Sequence, residues 1–381
     1  MNSRLLTIKR FKCFESIEIR IENLTVLTGK NSAGKSTVTQ AIRFLREVAT
    51  AHESPAQIHL NAPGFQLGTY DEIFNRNTLR VDSDSDTFEI GISETENDKH
   101  LVVFRPAEIS DECEYVQANL LAIPMLSNQS SCYFTYLSAE RYGPKLRQES
   151  TDGHRSIKLG VGLKGEFSAE VLANSYNTRI DEKLIHPSLT ADSGKSNARL
   201  DSNLEKWMSF VVGDIKIRAN RPPRLSMPIL EFLKGGAESD WQFPTNHGFG
   251  VSYTLPVVLA GLLLEENGIL IVDTPEAHLH PAAQTALALF LARIAAFGRT
   301  IIVETHSDHI IDGFRLAVAD KSHPIAVGNC VFHYLDREET NGSIIHHELA
   351  IRPNGTLPKW PKGFFDQIAT NLRTLTQLTR N

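Results

Sequence analysis

The sequence predicts an α/β protein with a parallel sheet at its centre, and two segments far apart in the chain carry this prediction. Near the N-terminus, the apolar run 23–27 is followed by a glycine-rich loop and then by apolar residues at helical spacing over 36–50. In the second half, apolar runs at 269–273 and 300–309 flank an amphipathic helix that ends near Phe297. A strand, a helix and a second strand in this order form a right-handed parallel unit, so both segments fit one sheet.

The glycine-rich loop at residues 29–36 reads G-K-N-S-A-G-K-S and fits the pattern G-x-x-x-x-G-K-[ST] at every fixed position. Its two glycines let the backbone curl so that N–H groups point at phosphate oxygens. The lysine then places a positive charge on the terminal phosphates, and the serine hydroxyl can ligate Mg²⁺. The sequence therefore predicts a P-loop that binds a nucleoside triphosphate, with contacts from Gly29, Asn31, Ser32, Ala33, Gly34, Lys35, Ser36 and Thr37.

The second half of the nucleotide site is predicted where the run I-L-I-V-D ends in Asp273. A buried parallel strand ending in a carboxylate suits a Mg²⁺ ligand. The run T-P-E-A-H-L-H-P follows directly, and T-I-I-V-E-T-H-S-D-H begins at residue 300. Because the carboxyl ends of parallel strands meet at one edge, we expect Asp273, Glu276 and His306 to lie there beside the P-loop.

Composition narrows the class of protein. The chain has 381 residues, 41% of them hydrophobic, which is enough for one large or two ordinary folded domains. Its four cysteines are scattered without C-x-x-C spacing, and the longest apolar stretch, at 255–264, is too short to span a bilayer. The net charge of −6 argues against indiscriminate binding of nucleic acid. We therefore expect a cytoplasmic protein with no membrane partner.

Together these motifs resemble the ATP-binding cassette (ABC) ATPases of the group that includes RecF, the structural-maintenance-of-chromosomes (SMC) heads and the overcoming-lysogenization-defect (OLD) nucleases. Lys12 and Phe14 match that group's opening strand and turn, and the run G-F-G-V-S at 248–252 resembles a degenerate form of its signature motif. The resemblance implies an ABC-like head that binds ATP and Mg²⁺, with Lys12 at the nucleotide. It also implies a head-to-tail homodimer in which Gly250 and Ser252 reach the γ-phosphate held by the partner.

A narrower resemblance is to a set of predicted bacterial ATPases. The tail W-P-K-G-F-F-D at 360–366 matches theirs, as do the stretches 161–172 and 304–311. Within the last stretch, His306 matches the switch histidine of cassette ATPases. Relatives of this kind often lie beside a nuclease gene in anti-phage systems, which implies a nuclease or another effector protein as the partner, with DNA as a further one.

Three departures from the cassette pattern bear on catalysis. Thr274 stands where the catalytic glutamate normally follows the strand, and threonine cannot be the base. Two roles fit Glu276: it is the replacement base, or it is a carboxylate that stabilises the following helix through its dipole. The signature lacks its usual S-G-G order, so Ser252 also fits a plain helix cap. No heptad segment is long enough for a coiled-coil arm, which disfavours a chromosome-tethering role.

Two single residues are further candidates. Gln66 lies 31 residues after Lys35 and fits either the Q-loop glutamine that contacts Mg²⁺ in relatives or an ordinary loop glutamine. Arg141 follows an apolar strand and fits a nucleotide or partner sensor, although an ion pair is the default role for such a residue.

The histidines of the second half allow a different interpretation. His278 and His280 form an H-x-H pair, which with His306 and His309 would make a metal cluster typical of a metallohydrolase. The cassette resemblance already accounts for both groups, so the only metal we expect is Mg²⁺ on the nucleotide.

These placements give a domain organisation and two functions. Residues 1–90 and 248–335 are predicted to form an ABC-type core, 91–247 an inserted α+β lobe, and 336–381 a tail of strands and a helix. The predicted function is an ATPase that dimerises on ATP and regulates a partner in DNA metabolism, DNA repair or antiviral defence. The alternative is a nucleotide-dependent scaffold with little or no turnover, which Thr274 favours.

Overall fold

The computed structural model describes residues 3–75, 87–94, 99–110, 112–147, 149–150, 160–175, 178–190, 197–222, 227–235, 240–338, 342–357 and 367–378. Its strands form two six-stranded sheets and one two-stranded pair. The tail motif at 360–366 lies outside the described residues.

The central sheet has the strand order β14-β13-β3-β12-β11-β8. All neighbouring strands run parallel except the edge strand β14, which is antiparallel to β13. Short apolar runs suit such a sheet because its inner strands are covered on both faces. The strands are β3 (Leu24–Gly29), β8 (Phe134–Leu137), β11 (Ile269–Asp273), β12 (Thr300–Glu304), β13 (Cys330–Arg337) and β14 (Ile344–Ala350).

The second sheet is antiparallel and has the order β2-β1-β5-β6-β7-β4. Its strands are β1 (Arg4–Phe11), β2 (Phe14–Ile21), β4 (Ala56–His59), β5 (Phe88–Ser93), β6 (Lys99–Pro106) and β7 (Tyr115–Ala118). Helix α1 (Lys35–Thr50) shares one hydrophobic cluster with this sheet and with Ile269 and Ile271 of the central sheet. The helix that follows the P-loop is therefore held between the two sheets.

The other face of the central sheet is covered by helices. Leu270 and Val272, which alternate with the isoleucines of β11, belong to a second cluster with these helices. The helices are α3 (Ser168–Asn174), α4 (Leu200–Val212), α5 (Phe249–Leu263), α6 (Pro281–Ala296) and α7 (Asp308–Ala319). The remaining elements are α2 (Tyr70–Ile73), the antiparallel pair β9 (Lys216–Asn220) and β10 (Ile229–Leu233), and α8 (Gln367–Leu378).

The structure corrects the predicted strand over 300–309. Strand β12 ends at Glu304, and α7 starts at Asp308. Ser307 separates them because its hydroxyl accepts a hydrogen bond from the backbone N–H of Ile310, which caps the helix.

The predicted domain boundary at residue 91 falls within β5, whose neighbour β1 belongs to the predicted core. Strand β8 of the predicted lobe pairs with β11 in the central sheet. The first part of the predicted lobe thus contributes strands to both sheets, and the division into core, lobe and tail stays a prediction. No helix among the residues that the structure describes is long and apolar enough to cross a membrane.

Candidate nucleotide-binding site

The P-loop joins the end of β3 to the start of α1. Gly29 has a φ of 138°, and a Cβ atom there would lie 1.8 Å from the carbonyl oxygen of Leu335. Gly34 precedes the helix with a φ of 99°. Both conformations favour glycine. The first amide groups of α1 have no acceptor within the helix, so the loop and the helix N-terminus present donors suited to phosphate oxygens.

A cavity of about 410 Å³ opens over this loop. Two predicted residues from other elements, Lys12 and His306, line it. Ala33 is fully buried beneath the loop surface. The predicted P-loop residues that line the cavity are Asn31, Ser32, Gly34, Lys35, Ser36 and Thr37.

The two lysines of the cavity are positioned by hydrogen bonds. Lys35 Nζ donates to the carbonyl oxygens of Gly29 at 3.1 Å and Lys30 at 2.8 Å. Lys12, in the turn between β1 and β2, donates to Gln40 Oε1 at 3.0 Å. Burial lowers the pKa of both ammonium groups. Both remain able to place positive charge beside a polyphosphate.

Two carboxylates end neighbouring strands beside the loop. Asp273 ends β11, Glu304 ends β12, and the two residues are direct partners in the parallel pairing. Glu304 Oε1 accepts a hydrogen bond of 2.9 Å from Ser36 Oγ. Burial, followed by repulsion from the Asp273 carboxylate, raises the pKa of Glu304 to about 7. The edge therefore collects the oxygen donors that Mg²⁺ prefers, so the residues present fit that ion.

The turn after β11 is held in an uncommon conformation. Thr274 has a φ of 48°, which is rare for a β-branched residue, and its hydroxyl donates to Asp273 Oδ1 at 2.8 Å. Arg141 Nη2 donates to the carbonyl oxygens of Asp273 and Thr274, both at 2.5 Å. The Arg141 side chain is buried, and burial lowers its pKa to about 10. Arg141 thus fixes the backbone that carries the Asp273 carboxylate.

Glu276 bridges this turn to the segment after β12. Its Oε2 accepts a hydrogen bond of 2.9 Å from the Thr305 hydroxyl, and its Oε1 accepts one of 2.8 Å from the backbone N–H of His306. Burial raises the pKa of Glu276. Burial and the charge of Lys35 lower the pKa of His306, so its ring favours the neutral form. His306 therefore lines the P-loop cavity, and both oxygens of Glu276 are hydrogen-bonded to the residues after β12, 305–307, which we call the switch segment.

Besides Gly29 and Ala33 of the loop itself, five predicted residues are not among the described residues that line this cavity: Asp273, Glu276, Gln66, Gly250 and Ser252. Gln66 is exposed in a loop, with a φ of 69°, and is not among the described residues that line the cavity. Gly250 and Ser252 lie in the first turn of α5, where a Cβ atom at Gly250 would approach the carbonyl oxygen of His278 to 2.9 Å. Both stay predictions for contact with a partner's nucleotide. No group of three or more His, Cys, Asp or Glu side chains in the described ranges is arranged to hold a metal ion.

Glu304 was not identified from the sequence, and Arg141 was assigned a different default role. Glu304 ends the apolar run of β12 just as Asp273 ends that of β11, so the same sequence signal marks both carboxylates. Arg141 was expected to form an ion pair by default, whereas its hydrogen bonds go to backbone carbonyl oxygens. Backbone acceptors leave no mark in a sequence, so only the fold shows this role.

Comparison with family models identifies the fold. The model described as "AAA ATPase domain" matches residues 1–203 and 161–311. This chain belongs to the AAA ATPase domain family. A second model, described as "Protein of unknown function (DUF3696)", matches residues 325–375. The family, together with the parallel sheet and its P-loop, confirms the predicted P-loop ATPase fold of the ABC type.

Individual relatives of this AAA ATPase are distant. It is 21% identical to the "Endonuclease GajA" of Bacillus cereus (strain VD045) over 368 residues, which cover 89% of this chain and 61% of the endonuclease. An Smc head bound to the C-winged helix domain of ScpA matches with a TM-score of 0.51 and 14% identity, covering 92% of this chain and 98% of the head. An Smc head with an extended coiled coil, bound to a ScpA domain from Pyrococcus furiosus, gives 0.53 and 13%, with 99% of each chain covered. These structures share the fold and confirm the resemblance to SMC heads.

Proposed function

We propose that this chain hydrolyses ATP to ADP and phosphate, closes head-to-tail on ATP as a homodimer, and thereby regulates an effector protein in DNA metabolism or anti-phage defence. The observation that carries the proposal is a P-loop cavity lined by Lys35 and Ser36. Ser36 is hydrogen-bonded to Glu304, whose partner on the next strand is Asp273. A triphosphate needs cationic and N–H donors on its phosphates and oxygen ligands for its metal ion, and this site offers both.

In this proposal the nucleotide lies along the P-loop with its terminal phosphates at Lys35 and the N-terminus of α1. Lys12 lies at the rim of the same cavity and adds a second ammonium group. Ser36 and Asp273 would hold Mg²⁺, which neutralises phosphate charge in the transition state.

Hydrolysis is assigned to the segments after β11 and β12. His306 lines the cavity and would orient the γ-phosphate or the attacking water. Glu276 would accept the proton of that water, and burial raises its pKa, which makes it a stronger base than an exposed glutamate. Thr274 is excluded as a base because its hydroxyl donates to Asp273.

Dimer closure is assigned to the N-terminus of α5. Ser252 Oγ is buried and has no hydrogen-bond partner among the described residues, and Phe249 beside it is 51% exposed. The turn lies outside its own chain's P-loop cavity, which fits a contact with the nucleotide of a second copy. In this arrangement ATP holds the two copies together and hydrolysis releases them.

The effector is proposed to be a nuclease, with DNA as a further partner. The support is the similarity to a protein whose name is Endonuclease GajA. This chain spans 61% of that protein's length. In this proposal the nuclease is a separate partner protein. The lobe at 91–247 and the tail at 336–381 would carry the docking surface. The four cysteines are free thiols, which suits a cytoplasmic protein.

A second candidate function is a nucleotide-dependent scaffold with little turnover. Two observations favour it: Thr274 replaces the usual glutamate, and both oxygens of Glu276 already accept hydrogen bonds. Such a protein would close on ATP and hold a nuclease without a hydrolysis cycle.

Phosphate release by the purified chain, with and without DNA, separates the two candidates. We expect turnover that Lys35→Ala abolishes, because the terminal phosphates lose their ammonium partner. Lys30→Ala is the matched control, since this exposed lysine of the same loop pairs with Asp336 and occupies no fixed motif position. Size-exclusion chromatography of the same protein with ATP tests whether two copies close into a dimer. Tight ATP binding without phosphate release would support the scaffold, and absence of ATP binding would refute both candidates.

A further inference from the structure

Glu304 is the buried carboxylate of the site to which no role has yet been given. It is 5% exposed and ends β12 beside Asp273. One oxygen, Oε1, accepts the hydrogen bond from Ser36 Oγ. The other, Oε2, is buried without a hydrogen-bond partner among the residues that the structure describes. An unpartnered carboxylate oxygen in a buried position is costly, so its presence calls for an explanation.

The charges around Glu304 point to a cation. Asp273 and Glu276 both disfavour a negative charge on it, and Lys35 is the basic side chain that favours one. The Lys35 ammonium group, however, donates to carbonyl oxygens of its own loop. Two carboxylates that end adjacent strands repel each other, and a divalent cation between them relieves that repulsion.

A purely structural role explains less of this geometry. If Glu304 served only to accept the hydrogen bond of Ser36, one oxygen would suffice and a glutamine would do the same. The unpartnered Oε2 and the close second carboxylate would then destabilise the fold without any compensating interaction. A role in binding the metal explains both features, since Oε2 and the Asp273 carboxylate can then face the cation. Ser36, which is hydrogen-bonded to Glu304, is itself the expected metal ligand from the P-loop.

We propose that Glu304 is a further Mg²⁺-binding residue, acting directly or through a bound water beside Ser36 and Asp273, and that it makes nucleotide binding dependent on Mg²⁺. This inference rests on the proposed ATP site. With Mg²⁺ present, Glu304 helps to hold the metal of the complex. Without Mg²⁺, an ionised Glu304 faces a triphosphate in a poorly screened cavity and repels it. Neutralising Glu304 should therefore change binding in opposite directions in the two conditions.

The test compares ATP affinity in Mg²⁺ and in EDTA for the full chain and for Glu304→Gln, by calorimetry. We expect the variant to bind Mg²⁺·ATP more weakly and metal-free ATP more tightly. The ratio of the two dissociation constants should fall about tenfold or more, which corresponds to about 1.4 kcal/mol. Glu112→Gln, at an exposed glutamate of a surface loop, should leave the ratio unchanged.

A second readout is the affinity for Mn²⁺ in the presence of ATP, measured by electron paramagnetic resonance, which should fall in Glu304→Gln. If that variant does not fold, Glu304→Thr, which is neutral and smaller, repeats both measurements with the same expectation. An unchanged ratio, with affinity lowered equally in both conditions, would overturn the metal role and leave Glu304 as an acceptor for Ser36. A parent chain that binds no ATP would instead refute the proposed function itself.

Discussion

Because Glu276 accepts two hydrogen bonds, its structural role can be tested separately from a role as catalytic base. In Glu276→Gln, the amide oxygen can keep the bond from the backbone N–H of His306, and the amide nitrogen can donate to the Thr305 hydroxyl. The side chain keeps its shape and loses its charge and its basicity. We therefore expect a change of less than about 1 kcal/mol in the free energy of unfolding. If Glu276 is the base, turnover should fall about 10²- to 10⁴-fold with ATP affinity unchanged.

Glu276→Ala removes both acceptors and measures the structural part separately. Thr305 is fully buried and its hydroxyl loses the Glu276 oxygen to which it donates, whereas the backbone N–H of the exposed His306 can hydrogen-bond to water instead. One buried polar group left unpaired costs about 1–3 kcal/mol, so we expect a melting temperature a few degrees below that of the parent.

The assay is single-turnover ATP hydrolysis, with thermal unfolding and ATP affinity measured on the same samples. Glu266→Gln is the control, because this exposed glutamate at the turn before β11 pairs with the exposed Lys183. Turnover of Glu276→Gln within about threefold of the parent's would refute the role as base, since loss of a general base costs far more. Glu276 would then remain a structural link between the turn after β11 and the switch segment.

Two further outcomes concern the fold. Gly29→Ala should cost about 3 kcal/mol or more or prevent folding, because of its φ of 138° and the carbonyl oxygen 1.8 Å from the new Cβ. In the control Gly328→Ala the new Cβ meets nothing within 4 Å, so this variant should unfold like the parent. Equal thermal stability of the two variants would contradict the requirement for glycine at position 29. Burial lowers the pKa of His333 to about 3 although its ring contacts the carbonyl oxygen of Arg20 at 2.7 Å. The unfolded chain therefore binds the proton first, and stability falls as pH drops below about 6.5. Between pH 7.5 and 5.5, the free energy of unfolding of the parent in urea should fall by about 1.4 kcal/mol relative to that of His333→Gln. His346, whose pKa burial also lowers, is present in both proteins, so its own titration cancels in this comparison. A constant difference between them across that range would refute the buried neutral ring.

The sequence predicted best those parts of the fold that depend on short apolar runs. Strand β11 has the predicted bounds, 269–273, because a short run of isoleucine, leucine and valine that ends in aspartate is typical of a buried parallel strand. The P-loop and the helix after it were equally clear, since each fixed position has its own physical cause. Strands β9 and β10 were missed because charged residues such as Arg218 and Glu231, which pair across them, hide the alternation.

The sequence predicted which residues make up the candidate site, but not the hydrogen bonds that connect them. Sequence placed Asp273, Glu276 and His306 at one edge, because parallel topology requires it. It did not reveal that Glu304 faces Ser36, since that contact depends on the register between β11, β12 and the P-loop. The assignment of Gln66 to the metal site stays a prediction, because a loop glutamine with a positive φ carries no periodic signal.

The loop between β11 and α6 touches two places at once. At one end Glu276 is bonded to the switch segment over the nucleotide cavity, and a little further on the carbonyl oxygen of His278 lies against Gly250 in the first turn of α5. A shift of the switch segment on loss of the γ-phosphate would be passed through a few bonds to the surface assigned to the second copy. If two copies close as proposed, the state of each nucleotide would then influence the neighbouring copy through this loop.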